Sequence, residues 1–338
     1  MRKNQKSNLK ILHINNVANV PSTLVEGLKK AGFSAQLYQP AVGTDNNHKL
    51  SNLALLSQRI KDILKLAKYI KNEDFDIVHI HYAYFGILGI IGRYPFFLHC
   101  HGTDVRENLK HPIFKFPTIF SLKKASKVLY STPDLYQYIK PIRKDAVFLP
   151  NPVDTENFKP ANIKNQPEAE DGISILIISR LDKTKGAVKA FEAAKIIKEK
   201  HPNVSFAAFE WGDDLRNYPF VPEIKLIQKV EYQQMPKIIN SYDIIIGQLE
   251  IGAIGMSELE ALASGKPVIC NFIYGNIYKE SPPFLLAKDA KDIKNHIETL
   301  IRKRGLIKKI GDKGRDWVVK NHGQETIVKE LLKIYESY

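Results

Sequence analysis

The chain has 338 residues, 44% of them hydrophobic, which suits two α/β domains with real cores, and no apolar run is long enough to span a membrane. Its net charge of +14 is uneven: residues 1–150 carry 22 Lys+Arg against 10 Asp+Glu, a balance of +12, and residues 151–338 carry 28 against 26, a balance of +2. A basic half implies an anionic partner (nucleic acid, acidic lipid or a phosphorylated substrate), although solubility alone is the bland alternative.

Residues 1–6 are basic and polar and lead into a strand without the apolar stretch of a signal peptide. With Cys100 and Cys270 read as reduced core thiols, the expectation is a cytosolic protein. Residues 9–14 read as a buried strand, 22–31 as a helix stopped by Gly32, and 34–38 as a second strand. A polar loop at 41–49 precedes a long helix. Its apolar stripe is Leu53, Leu56, Ile60, Ile63, Leu64, Ala67 and Ile70, opposite Arg59, Lys61, Lys65 and Lys68. Asp74 and Asp76 read as strand-entry residues rather than metal ligands, because they run straight into the buried strand 77–81. Helical residues 83–91 and a strand at 96–100 follow.

His101-Gly102-Thr103-Asp104 closes that strand. Ligands of an open parallel sheet bind outside the carboxyl ends of its strands. There Gly102 permits close approach, and His101 and Asp104 can contact substrate hydroxyls. A satisfied histidine is the plain alternative. His79, His81, His99 and His101 form two His-x-His pairs that compete as a transition-metal site. No acidic residue or cysteine completes that shell, so the expectation is no metal. Further α/β alternation runs to residue 149. The prolines of Pro150-Asn151-Pro152 and a polar stretch at 161–171 place a domain boundary there.

Residues 173–178 restart the pattern and deliver Ser179-Arg180-Leu181-Asp182-Lys183-Thr184-Lys185-Gly186. A fork-shaped Arg180 and a point-charge Lys185 between a strand end and a helix start suit a diphosphate. A strand ends at Glu210-Trp211-Gly212-Asp213, and another precedes Val230. A buried strand at 243–247 then opens the stretch Gly252-Ala253-Ile254-Gly255-Met256-Ser257-Glu258-Leu259-Glu260. Its glycines allow a tight turn, and the helix start that follows offers free N–H groups and a positive dipole end to an anion. Glu260 can accept two hydrogen bonds from a ribose diol.

The pattern Gly-x-x-Gly-x-x-x-x-Glu-Ala-x-Ala-x-Gly-x-Pro-Val over residues 252–268 resembles the nucleotide-binding signature of family 4 retaining glycosyltransferases. Residues 101–104, 150–158 and 179–186 resemble that family's other motifs in the same order. The family carries a first glutamate where this chain has Gly252, and Glu250 sits two residues too early to replace it. The resemblance implies an α/β GT-B fold of two facing Rossmann-like doubly wound domains with a cleft between them. The expected domains are residues 1–155 on the acceptor side and 156–338 on the donor side, with the last helix crossing back.

Arg180 and Lys185 would then hold the donor phosphates as catalytic groups, with Ile254, Gly255, Met256 and Ser257 as backbone donors. Glu260 would hold the ribose and the Val230 loop the base. His101, also catalytic, would position the sugar with Gly102 and Asp104. The implied donor is a nucleoside diphosphate sugar, with no cofactor and no metal. The implied acceptor is a lipid-linked or glycan hydroxyl. The basic half and the residue 53–70 helix suggest salt-reversible docking on an anionic membrane without an inserted anchor. A sugar-nucleotide epimerase, an inverting GT-B transferase or a non-catalytic nucleotide-sugar-binding relative are the alternatives. Nucleic-acid binding is not expected, since no run interleaves aromatic and basic residues.

Overall fold

The computed structural model describes residues 9–40, 52–161, 172–212 and 222–338. The basic residues 1–6, the polar loop 41–49, nearly all of the 161–171 linker and Asp213 lie outside the described residues. So do the side chains of Leu53, Leu56, Arg59 and Ile60.

The chain forms two compact units, residues 1–152 with 324–338, and residues 153–323. The first unit runs β1 (Lys10–Ile14), α1 (Val20–Lys30), β2 (Ser34–Tyr38), α2 (Asn52–Glu73), β3 (Ile77–His81), α3 (Ile87–Gly92) and β4 (Phe97–Cys100). It continues with α4 (Thr103–Arg106), α5 (Lys115–Lys124), β5 (Lys127–Tyr130), α6 (Tyr136–Ile139) and β6 (Val147–Phe148). All strands are parallel, in the order β2-β1-β3-β4-β5-β6. Helices on both faces explain why β3 and β4 are buried at every residue rather than alternately. α1 begins at Val20, two residues before the sequence expectation. Pro21 lies in its first turn, where a missing N–H costs nothing.

The second unit runs β7 (Ile173–Ile177), α7 (Ala187–Lys200), β8 (Val204–Phe209), β9 (Ile224–Ile227), α8 (Met235–Asn240) and β10 (Ile244–Ile246). α9 (Met256–Ala263), β11 (Val268–Cys270), β12 (Leu285–Leu286), α10 (Ala290–Arg302) and α11 (Gly305–His322) complete it. Its parallel order, β12-β11-β10-β7-β8-β9, is that of a dinucleotide-binding fold. The order reverses between β7 and β10, which puts the topological switch point, where such sheets bind ligands, at the carboxyl ends of these two strands.

The last helix, α12 (Gln324–Glu336), belongs to the first unit, packed on α1. The contact needs Gly27, where any Cβ would come within 2.7 Å of both Gln324 and Val328. Gln324 Nε2 donates to the Thr23 carbonyl at 2.8 Å, and Ile327, Val328 and Leu331 are buried beneath the helix.

Candidate active site

At the switch point of the second unit, the loop after β7 carries Arg180 and Lys185. Asp182, nearly buried, organises it. Its carboxylate accepts from the Lys185 N–H at 3.0 Å and the Thr184 hydroxyl at 2.6 Å, and pairs with Arg180 Nε at 3.2 Å. Arg180 remains about two-fifths exposed, 41%, so its guanidinium is oriented without being consumed. Gly186 follows with φ +75°, and a Cβ there would press to 3.0 Å on Leu249. The Leu249 N–H donates to the Lys185 carbonyl at 2.8 Å. These contacts bring the cation loop against the turn after β10, joining two stretches that are far apart in sequence.

That turn is built around two residues that the sequence motifs do not single out. Buried Gln248 uses its whole side-chain amide. Nε2 donates to the Ala253 and Asn271 carbonyls at 2.7 and 2.6 Å, and Oε1 accepts from the N–H groups of Ile251 and Glu250 at 2.8 and 3.2 Å. Glu258, also buried, accepts from the N–H of Gln248 at 2.8 Å and of Gly255 at 2.9 Å. A glutamate three residues into a helix, reaching back to the residue before it, is half of a capping box and is readable as such. It corrects one expectation: the Gly255 N–H is spent on Glu258 and not offered to a phosphate. The first-turn amides of Met256 and Ser257 are those α9 cannot satisfy internally. Ile254 is buried in the core beneath the turn.

Glu260 is 3% exposed and accepts from the Tyr232 hydroxyl at 2.9 Å. Burial pushes its carboxyl up to about 7, opposed by the Tyr232 bond, with nearby Glu258 adding to the rise. An acid whose folded pKa is raised loses stability as pH climbs from its unfolded value toward the folded one. Glu260→Gln is therefore expected to raise the unit's stability at pH 8 by roughly 3 kcal/mol, because the carboxyl loses about 1.4 kcal/mol over each pH step between those two values. The gain should vanish near pH 4.5, and thermal melts at both pH values check it. An unchanged melting temperature at pH 8 would mean the carboxylate is well solvated.

Gly252 has φ +75°, a conformation that costs a non-glycine residue roughly 1–3 kcal/mol. The side chain a Cβ would meet, Ile273 at 3.1 Å, is 62% exposed and can yield. Gly252→Glu is thus expected to lower the melting temperature by a few degrees without raising turnover. A gain in turnover would mean that the glutamate makes a sugar contact there. Glu250 does not substitute for it, since its carboxylate pairs with Lys189 at 2.6 Å.

Trp211, at the carboxyl end of β8, is a further residue that no motif marks. It is 45% exposed, and its ring lies 5.8 Å from the Arg180 guanidinium and 5.2 Å from the Lys229 ammonium. Gly212 makes this loop close. Its φ is +148°, and a Cβ would strike the Leu181 carbonyl at 2.3 Å. Val230, beside Lys229, is half-buried against the core.

In the first unit, the His101–Asp104 turn follows β4. Gly102 turns the chain at φ +143°. Asp104 has a different task from the substrate contact expected. It is fully buried, and its carboxylate accepts from the N–H groups of Gly102 (2.6 Å), Ala83 (2.9 Å) and His101 (3.0 Å). It clamps the turn and cannot also reach a sugar. Half-buried His101 shares a hydrogen between its Nε2 and His81 Nδ1 at 2.9 Å, and His81 Nε2 does the same with His13 Nδ1 at 2.8 Å. His79 Nδ1 bonds the Tyr335 hydroxyl of α12 at 2.6 Å.

His13, His79, His81 and His99 are fully buried. Burial holds His13 and His101 down to about 3 and the other three well below the ordinary value, each further lowered by its neighbours. All five imidazoles are therefore neutral at physiological pH. The four histidines of the competing metal reading do lie against one another, with His13 as an unforeseen fifth member. One nitrogen each of His13, His79 and His81, or of His81, His99 and His101, lie within 4.8 Å of one another. Both nitrogens of His81 are already bonded, so a metal in either set would first break the His13 or the His101 bond.

Two family models match end to end: Glycosyltransferase Family 4 over residues 17–157, and Glycosyl transferases group 1 over residues 158–317. With two parallel Rossmann-like sheets and a cation-bearing switch point, they define the class as a nucleotide-sugar-dependent glycosyltransferase of GT-B fold. The chain belongs to the family 4, group 1 type of these enzymes. Among curated proteins it is 27% identical over 282 residues to UDP-Gal:alpha-D-GlcNAc-diphosphoundecaprenol alpha-1,3-galactosyltransferase of Escherichia coli, covering 74% of this chain and 72% of that one. In fold it is similar to sucrose-phosphate synthase of Thermosynechococcus elongatus, with TM-score 0.73, 16% identity, and 97% and 98% of the chains covered. It is likewise similar to Anabaena HepE, solved with UDP and glucose, with TM-score 0.71, 13% identity, and 98% and 100% covered.

Proposed function

We propose that this transferase moves a sugar from a uridine diphosphate donor to a lipid-linked acceptor hydroxyl at a membrane surface, with retention at the anomeric carbon. The observation that carries the reading is the joined pair of loops at the second unit's switch point: the loop of Arg180 and Lys185 is bonded through the Lys185 carbonyl to Leu249, in the turn that leads to α9. The E. coli relative, whose name gives a UDP-galactose donor and a diphosphoundecaprenol-linked acceptor, supports the choice of both substrates.

In this reading Arg180 and Lys185 take up the charge that grows on the leaving diphosphate, joined by the Met256 and Ser257 amides. They act most strongly in the transition state. Trp211 offers its face to the base beside the Val230 loop, and Glu260 accepts from the ribose. His101, uncharged at neutral pH, positions the transferred sugar as a neutral hydrogen-bonding group rather than as a cation. Asp104 and Gly102 fix its place. The sugar–phosphate bond breaks, the acceptor oxygen bonds the anomeric carbon, and the leaving phosphate takes the acceptor's proton.

Turnover of a panel of sugar nucleotides, with and without a chelator, tests the proposal. UDP-sugars should be consumed in preference to other donors, and the chelator should leave the rate unchanged. Binding of UDP with no turnover of any donor would favour a non-catalytic relative. Loss of rate on chelation, restored by a divalent ion, would reinstate the histidine sets as ligands.

A further inference from the structure

The expected docking face was the basic side of α2, acting by charge alone. The structure points elsewhere, to the segment leading into α5. Ile113 is 71% exposed, Phe116 74% and Phe120 44%. α5 packs inward through Thr118, Ser121 and Leu122, which leaves Phe116 and Phe120, four residues apart, together on its outer face. Two exposed rings side by side make an apolar patch rimmed by polar residues, the kind of surface that marks an interaction site.

Cations surround the rings. Lys110, Lys115, Lys123 and Lys124 are exposed in this segment against one exposed acid, Glu107. Lys124 Nζ lies 5.8 Å from the Phe120 ring. α3 packs against both α5 and α2 and exposes Ile91 at 53%, while α2 exposes Leu64 at 64% beside Lys61, Lys65 and Lys68. Among the described residues, no helix is long and apolar enough to cross a membrane.

Topology fixes where the wedge sits. β4 and β5 are parallel neighbours, so α5 between them runs back along the sheet and starts near its carboxyl edge. Ile113 and Phe116 therefore lie toward the edge at which His101 closes β4. A protein partner would match apolar rings as well, but would not by itself call for four lysines around them. An anionic bilayer matches both features, with acyl chains for the rings and phosphates for the ammonium groups.

We infer that Ile113, Phe116 and Phe120 form an apolar wedge that inserts into an anionic lipid surface. The surrounding lysines hold the headgroups, and the first unit is thereby presented to a membrane-borne acceptor. This rests on the proposed lipid-linked acceptor. It changes the expected binding from purely electrostatic, and fully reversed by salt, to partly apolar and salt-resistant.

The test is sedimentation of the full chain with vesicles of phosphatidylcholine containing phosphatidylglycerol, and with phosphatidylcholine alone. Binding should be much stronger with the anionic lipid, and a fraction should survive high salt. Phe116→Ser with Phe120→Ser should remove the salt-resistant fraction and weaken binding roughly tenfold per ring, as expected for losing a buried aromatic. Lys115, Lys123 and Lys124→Gln should remove the salt-sensitive part. Cys100 and Cys270 are buried, so a polarity-sensitive dye on Phe116→Cys labels that site and should report an apolar environment on binding. Wild-type binding by the double serine variant, a dye that stays in water, or no binding to either vesicle would overturn the wedge. The last outcome would assign the face to a protein. Donor turnover without vesicles reads the transferase assignment separately, since its failure would leave the vesicle result standing.

Discussion

Acidification from pH 7 to about 5.5 should destabilise the first unit steeply, so that it opens before the second. Four histidines, His13, His79, His81 and His99, are fully buried and neutral. Above pH 6.5 they are neutral in folded and unfolded chains alike and contribute no pH dependence. Below it the unfolded chain takes up protons that the folded unit refuses, so stability falls with pH until the depressed folded values are reached. Each such histidine costs about 1.4 kcal/mol for every pH unit below 6.5. Four together remove roughly 5–6 kcal/mol at pH 5.5, leaving out half-buried His101. A whole domain has about 5–15 kcal/mol to lose. Hydrogen exchange at the amides of β3 and β4 reads the first unit. Both tryptophans, Trp211 and Trp317, lie in the second and report on it alone. His99→Phe should shift the acid transition downward, because neither His99 nitrogen has a hydrogen-bond partner among the described residues. Protection in β3 and β4 that holds to pH 5 would show that water reaches the column.

Arg180→Ala and Lys185→Ala should each lower kcat/KM by roughly 10- to 100-fold. That is the loss of one charge-assisted hydrogen bond of about 1.5–3 kcal/mol. The double variant should lose less than the sum, because in the proposed reading both cations, carried on one loop, meet one diphosphate. Arg180→Lys should recover little, since an ammonium lacks the fork that Asp182 orients. Steady-state kinetics against UDP-sugar, with UDP binding measured alongside, decides it. Wild-type turnover in either single variant would remove that residue from the site.

The sequence carries the α/β alternation well, because parallel strands buried on both faces leave long apolar runs and their helices leave stripes. It also singles out Arg180, Lys185 and Glu260 as candidates, because their motifs are local. What it hides is non-local. Nothing near His13 announces His81, sixty-eight residues away, as its hydrogen-bond partner. Asp104 reads as a ligand because its motif lies at a strand end, but burial makes it a backbone clamp. Trp211 becomes informative only once its ring is seen between Arg180 and Lys229, since an isolated tryptophan is usually core. Glu258 is legible three residues beyond Gly255, yet the family pattern marks its neighbour Glu260 instead.

The return of α12 to the first unit bears on how the polypeptide is made. Ribosomes release chains from the amino end, so β1 to β6 emerge before the second unit exists. Yet the groove at Gly27 is filled by Gln324 and Val328, and the hydroxyl that bonds His79 comes from Tyr335, all of them on α12. The first unit must therefore wait, incomplete, through synthesis of the whole second unit, with its histidine column lacking the helix that covers it. The order of folding should thus run opposite to the order of synthesis, the carboxyl-side unit maturing first. A chain truncated after His322 should already protect β7 and β10 while β3 and β4 remain open to protease.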